Sequence, residues 1–257
     1  MKPQQLAAQL YTVRDFCRTA ADFAATIRKL RKIGYPAVQL SGVGPIPLLE
    51  IKTILAGEGM ICCATHEDSA QLLAHPAQFV EKLQTLECRH TAYPFPAGVD
   101  FGSPAAVENL VRQLESAGRT LSAAGLTLGY HNHAIEFVPF RGGTVLDFIY
   151  DTTDARHLVA EPDTFWIHYG GGDVVAWFER LADRMPCVHL KDYGFTLQNT
   201  HQFCEVGRGN LDWRRILAAA ERSGCEWFIV EQDTCPGDPF ESLKISYDYL
   251  RANFAHD

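Results

Sequence analysis

The chain has 257 residues, 47% of them hydrophobic and 21% charged, with a formal net charge of −8. That composition excludes disorder as the dominant state and allows one large core, while an acidic balance without any Lys/Arg-rich segment argues against a nucleic-acid partner. No apolar run approaches the roughly 20 residues of a membrane span, MKPQQLAAQL lacks the charged-then-apolar order of a signal peptide, and the eight scattered cysteines form no CxxC pair, so a reduced, cytoplasmic protein is expected.

Leu6 to Val13 (LAAQLYTV) predicts a first strand, closing on Arg14 and Asp15. Thr19 with Asp22 makes a capping box, and Phe23, Ile27, Leu30 and Ile33 keep helical spacing up to Gly34. The cycle restarts at Ala37 (AVQLSG), with a helix over Leu48 to Ala56 stopped by Gly57 and Gly59. Met60 to Thr65 (MICCAT) then runs into His66 and Glu67 before a helix over Pro76 to Glu87. A fourth strand falls within Arg89 to Tyr93, and Ser103-Pro104 starts a helix whose stripe (Val107, Leu110, Val111, Leu114, Leu121) ends at Gly125.

The fifth strand is the LGYHNH run from Leu128, followed by a short helix capped by Thr144 and Asp147. Leu158 to Ala160 is the sixth, with Asp173 capping Val174 to Arg184. Cys187 to Leu190 is the seventh, after which a long loop holding Gly207 and Gly209 leads to a helix from Leu211 to Arg222. Phe228 to Val230 is the eighth, and Pro239 to Phe254 the closing helix. Continuous apolar strands alternating with helices imply a parallel sheet covered on both faces, and eight such units match a (β/α)8 TIM barrel, one α/β domain over residues 1–257. An open doubly wound sheet is the competing architecture, but no glycine-rich nucleotide loop follows the first strand.

Four runs end on ligand-type residues: LGYHNHAIEF (Leu128 to Phe137), HLVAEPD (His157 to Asp163), PCVHLKD (Pro186 to Asp192) and WFIVEQD (Trp227 to Asp233). A barrel gathers all strand C-termini at one mouth, which places Glu136, Asp163, His189 and Glu231 within reach of one another. Three carboxylates and an imidazole suit one divalent ion, Mn²⁺ ahead of Mg²⁺, Co²⁺ or Zn²⁺. Such an ion has positions left for two vicinal oxygens of a hydroxyketone, and it would stabilise the enediolate formed by deprotonation next to the carbonyl.

HNHAIEF, EPDTFW, VHLKDY, EVGRGNLDW and WFIVEQD, in this order and spacing, resemble the successive motifs of the xylose-isomerase-like TIM-barrel superfamily, the sugar phosphate isomerase/epimerase family. The resemblance covers roughly Gln4 to Phe254 and is strongest from residue 128 onward. It implies metal ligands at Glu136, Asp163, His189 and Glu231. As in the family's ketose 3-epimerases, it also implies catalytic roles for Glu136 and Glu231, one removing the substrate proton and the other returning it from the opposite face. The implied function is a metal-dependent sugar isomerase or epimerase acting on a small sugar or polyol. HNHxxEF with VHLKDY looks closer to members described as sugar phosphate isomerases or acting on inososes and 3-keto-glycosides, some of which eliminate water or a leaving group after the same deprotonation. The alternative is therefore a dehydratase or lyase acting on an inosose or 3-keto-glycoside. Trp166, where the epimerases carry histidine, and Gln39, where many members carry glutamate, depart from the epimerase pattern. A repair endonuclease of the same superfamily would need more ligands and a basic face, and a non-catalytic barrel would not keep a full ligand set.

Substrate contacts are expected from His66, His131, His133, Trp166 and Lys191. Each candidate also has a plainer reading. Glu136 or Asp163 alone would be a cap or surface charge, His189 a satisfied core histidine, Lys191 an internal ion pair, and Trp166 with Phe165 a hydrophobic plug rather than a sugar-stacking wall. Gly207 and Gly209 in VGRGN offer either a phosphate cradle or ordinary turns. Tyr247, Tyr249 and Phe254 either pack on the barrel or support a homodimer.

Overall fold

Side chains alternate faces along a strand, and in the computed structural model, which describes residues 1–256, this alternation stacks two layers inside one barrel. The barrel strands are β1 (Leu6–Gln9), β2 (Ala37–Leu40), β3 (Ile61–His66), β4 (His90–Tyr93), β5 (Thr127–His131), β6 (Leu158–Glu161), β7 (Cys187–Leu190) and β8 (Trp227–Val230). They pair in parallel in the order β6-β5-β4-β3-β2-β1-β8-β7. The lower layer is small and apolar: Ala7, Ala37, Ala64, Cys187 and Ile229 belong to one buried cluster. Two residues further along the same strands stand Gln9, Gln39, His66, His189 and Glu231. Small residues below leave room for large polar ones above.

The barrel is nearly closed, and its seam is informative. Pro162 follows β6 and has no N–H, so it cannot donate to a ladder. Between β6 and β7 there remains an isolated parallel bridge, Asp163 to His189, with His189 N donating to Pro162 O (2.9 Å). The backbone thus sets two candidate ligands side by side.

The first strand is shorter than expected. The Gln9 side chain accepts from Tyr11 N and starts a 3-10 segment, Leu10–Phe16. Further elements lay hidden in expected loops, among them a helix over Ser69–Ala74, a helix over Thr164–Tyr169 and an antiparallel hairpin of Asp192–Phe195 with His201–Cys204. All eight cysteines are free. Tyr247, Tyr249 and Phe254 are partly buried against the main core. Among the described residues no helix is long and apolar enough to cross a membrane.

The helix Pro104–Ala123 packs tightly at Gly118, where a Cβ would lie 1.9 Å from the backbone oxygen of His157. Helix propensity alone favours Gly118→Ala by about 1 kcal/mol, but a carbonyl cannot rotate away as a flexible side chain would. We expect Gly118→Ala to destabilise the fold by about 3 kcal/mol, read from urea unfolding.

Candidate functional site

At the mouth, donor atoms of His131, Asp163, His189 and Glu231 all lie within 4.8 Å of one another, and all four residues are buried. A second group, His66, His131, Glu161 and His189, shares two of these members. His131 Nδ1 and Asp163 Oδ2 have no hydrogen-bond partner among the described residues. Buried polar atoms without a hydrogen bond are costly, so His131 Nδ1 and an Asp163 Oδ2 held only by the Lys191 ammonium at 3.1 Å fit a divalent ion within this compact cluster.

His189 links the two groups. Its Nδ1 lies 2.9 Å from Glu231 Oε2, and its Nε2 lies 2.6 Å from Gln39 Oε1 and 3.1 Å from Glu161 Oε1. Burial by itself would lower the His189 pKa, but Glu161 and Glu231 outweigh it and raise the ring to about 10. Gln39 also accepts from Gln9 Nε2 (2.9 Å) and donates to Glu161 Oε2 (2.8 Å), while His66 Nε2 pairs with Glu161 Oε1. This network orients the imidazoles as outer partners of metal ligands do.

Asp163 has two jobs. Its Oδ1 accepts from Trp166 N (3.0 Å), capping the helix Thr164–Tyr169, and its Oδ2 is aimed into the site. Burial pushes its carboxyl up to about 6 against the pull of Lys191 and His189. Lys191 Nζ lies 3.1 Å from that Oδ2, 2.8 Å from Glu231 Oε2 and 2.9 Å from Asp233 Oδ1. Glu231 is also buried, yet Lys191 and His189 hold its carboxyl well below the usual range. Burial drives His131 and His133 the other way, His133 to about 3, so both rings are neutral at pH 7.

A cavity of about 480 Å³ opens above this cluster, a volume typical of small-molecule sites. His66, His131, His133, Lys191 and Glu231 line it, together with Asp233, Arg14, Tyr11 and Phe95. Four expected residues do not: Asp163 and His189 belong to the cluster below it, and the other two are turned elsewhere. Trp166 packs behind the wall against His133 and Phe165, the plug arrangement. Glu136 is fully buried, accepting from Tyr130 Oη (2.9 Å) and His133 N (2.7 Å). Each of its oxygens accepts one hydrogen bond there, and the fourth member of the group at the mouth is His131 rather than Glu136.

The glycine loop is no phosphate cradle. Asp192 Oδ2 accepts from Gly207 N (3.0 Å), Gly209 N (3.1 Å) and Trp213 Nε1 (2.6 Å), and Oδ1 from Tyr193 N (2.9 Å) and Leu211 N (3.3 Å). Glycine is needed at 209 because a Cβ would fall 2.3 Å from Asp192 Oδ1. A carboxylate from the chain itself already fills the anion nest.

The pattern of the family described as xylose isomerase-like TIM barrel matches residues 27–253. The chain belongs to that family. Over 166 residues, 56% of this chain and 51% of its relative, the barrel is 30% identical to an inosose dehydratase of Geobacillus kaustophilus. It thus spans about half the length of the curated relatives it matches. Among solved structures it resembles a sugar phosphate isomerase/epimerase from Parabacteroides distasonis, with a TM-score of 0.83 and 18% identity over 99% of this chain and 96% of the other. It also resembles a xylose isomerase-like TIM barrel protein from Mycobacterium smegmatis in complex with magnesium, with a TM-score of 0.77 and 14% identity over 97% of each chain. At these identities the two structures support the fold.

What sequence reasoning overlooked in this xylose isomerase-like barrel is Glu161 and Gln9, and it read Gln39 only as a departure from the epimerase pattern. The signal was present: Glu161 stands two residues before Asp163, Gln9 ends its strand and Gln39 is the last residue but one of its own.

Glu136 generates a pH prediction. Burial raises its carboxyl from 4.5 in the unfolded chain to about 7. The folded state therefore holds this proton more tightly, and Glu136 subtracts stability as pH rises from 4.5 through 7, by up to about 3 kcal/mol. We expect Glu136→Gln, which cannot ionise, to gain about that much relative to wild type between pH 5 and pH 8, measured by urea midpoints at both.

Proposed function

We propose that this barrel is a divalent-metal-dependent lyase that removes the proton α to the carbonyl of a cyclic polyhydroxy ketone and expels the β-hydroxyl as water, an inosose-type dehydration. The observation that carries this choice over epimerisation is the burial of Glu136. Inversion by two glutamates needs both in the cavity; elimination needs one base and one acid. Glu231 lines the cavity and Glu136 does not.

Glu231, kept ionised by Lys191 and His189, takes the α-proton. The C–H electron pair becomes the new carbon–carbon double bond, and the β-carbon–oxygen bond breaks. His66 stands three strands around the barrel from Glu231 and also lines the cavity. Its Nε2 is paired with Glu161, which orients the ring, and in this reading the ring is the acid that hands a proton to the departing hydroxyl. Water leaves, and His66 recovers a proton from solvent. A divalent ion held by His131, Asp163, His189 and Glu231 would supply the electrophile that polarises the ketone oxygen. Two imidazoles shift this donor set from Mg²⁺ toward Mn²⁺, Co²⁺ or Zn²⁺. The occupied VGRGN nest supports an unphosphorylated substrate, and the names of the curated relatives support an inosose.

With Mn²⁺ and an inosose, the product is expected to be lighter by one water and to absorb as an enone. Glu231→Gln should slow its formation at least about 100-fold and stop exchange of the α-hydrogen with solvent deuterium. A product of unchanged mass and altered configuration would give the site back to the epimerase reading, and undiminished exchange in Glu231→Gln would remove the base. Elemental analysis tests the ligands separately. Metal is expected to be retained in Glu136→Gln and weakened in His131→Gln, and the reverse pattern would restore Glu136 as a ligand.

A further inference from the structure

Lys191 lies two residues beyond His189, so by the alternation of β7 its stem enters the same inward layer. The side chain is only 1% exposed. A buried ammonium is tolerated only when paired, and this one is paired in an unusual way. Two of its three partners, Asp163 Oδ2 at 3.1 Å and Glu231 Oε2 at 2.8 Å, belong to the cluster assigned above to a divalent ion. The third, Asp233, accepts a hydrogen bond from Nζ at 2.9 Å, belongs to neither metal-type cluster and lines the cavity. The Trp166 ring stands 5.4 Å from Nζ.

An ion taking those oxygens would sit about 2.0–2.2 Å from them. An ammonium held close to the same oxygens would face a double positive charge at short range in a dry site, where repulsion is strong. Resting on the metal site proposed above, we infer that Lys191 is the internal counter-ion of the metal-free enzyme: its ammonium holds Asp163 and Glu231 together and withdraws to Asp233 when a divalent ion takes their oxygens. Three carboxylates with oxygens within 3.1 Å of Nζ surround the group that must move. The withdrawn ammonium faces the cavity through Asp233. Metal loading thereby also presents a cation to the substrate's oxygens.

The test compares metal-free wild type with Lys191→Met, Asp233→Asn, the double variant and Asp163→Asn, titrated with Mn²⁺ in a calorimeter. Lys191→Met is expected to bind at least about tenfold tighter, because no ammonium has to be displaced. Asp233→Asn should bind more weakly than wild type, but should change nothing in the Lys191→Met background, since Asp233 acts through the lysine. Equal or weaker binding in Lys191→Met overturns the inference, as does an undiminished Asp233 effect without the lysine. Asp163→Asn separates the two readings. If wild type binds no better than Asp163→Asn, the metal site itself fails and the counter-ion with it. If Asp163→Asn loses binding and Lys191→Met equals wild type, only the counter-ion fails. Should Lys191→Met not fold without metal, Zn²⁺ titration of wild type decides. The leaving ammonium should change the emission of Trp166, absent in Trp166→Phe, and a Zn²⁺-bound protein with unchanged Trp166 emission overturns the proposal.

Discussion

Burying Glu161, Asp163 and Glu231 at the top of one barrel is tolerable only if positive charge is buried with them. The chain supplies it from a single strand end. His189 lies between Glu161 and Glu231, and Lys191, two residues on, lies among Asp163, Glu231 and Asp233. Because both cations come from β7 and its extension, the seam beside β6 becomes the place where charge is balanced. Pro162 reinforces this by removing a ladder donor there and leaving the Asp163–His189 bridge.

The apolar half of the barrel makes that arrangement affordable in space. Ala7, Ala37 and Ala64 lie beneath Gln9, Gln39 and His66, so the polar layer rests on a floor of small side chains. The two glutamines then perform a task that ionisable residues would do badly. Gln39 receives from Gln9 and His189 and gives to Glu161, so one neutral amide serves three neighbours without adding charge. A glutamate there would place a further anion beside Glu161 and shift the balance toward more bound cations.

Asp192 and Glu136 show how a carboxylate in a motif is diverted to structure. Asp192 fills the nest of N–H groups in VGRGN and ties the hairpin to the following helix through Trp213. Glu136 closes the turn after β5 by accepting from His133 N and Tyr130 Oη. Each is pinned by donors close by, and neither lines the cavity.

Alternation of apolar strands with capped, glycine-stopped helices determined the barrel from sequence, because hydrophobic periodicity and end signals are local properties. The same locality made the strand-end motifs legible, and Asp163, His189, Glu231, His66, His131, His133 and Lys191 do converge at the mouth. Which oxygen or nitrogen faces the cavity was not local. Spacing within HNHAIEF cannot tell that Glu136 turns into Tyr130 while His131 points inward, since that depends on where β5 ends and its turn begins. Nor does VHLKDY reveal that its lysine joins carboxylates from β6 and β8 while its aspartate collects amides from a loop. Those choices were made by tertiary structure, because a buried charge takes the partner that packing brings to it from distant parts of the chain.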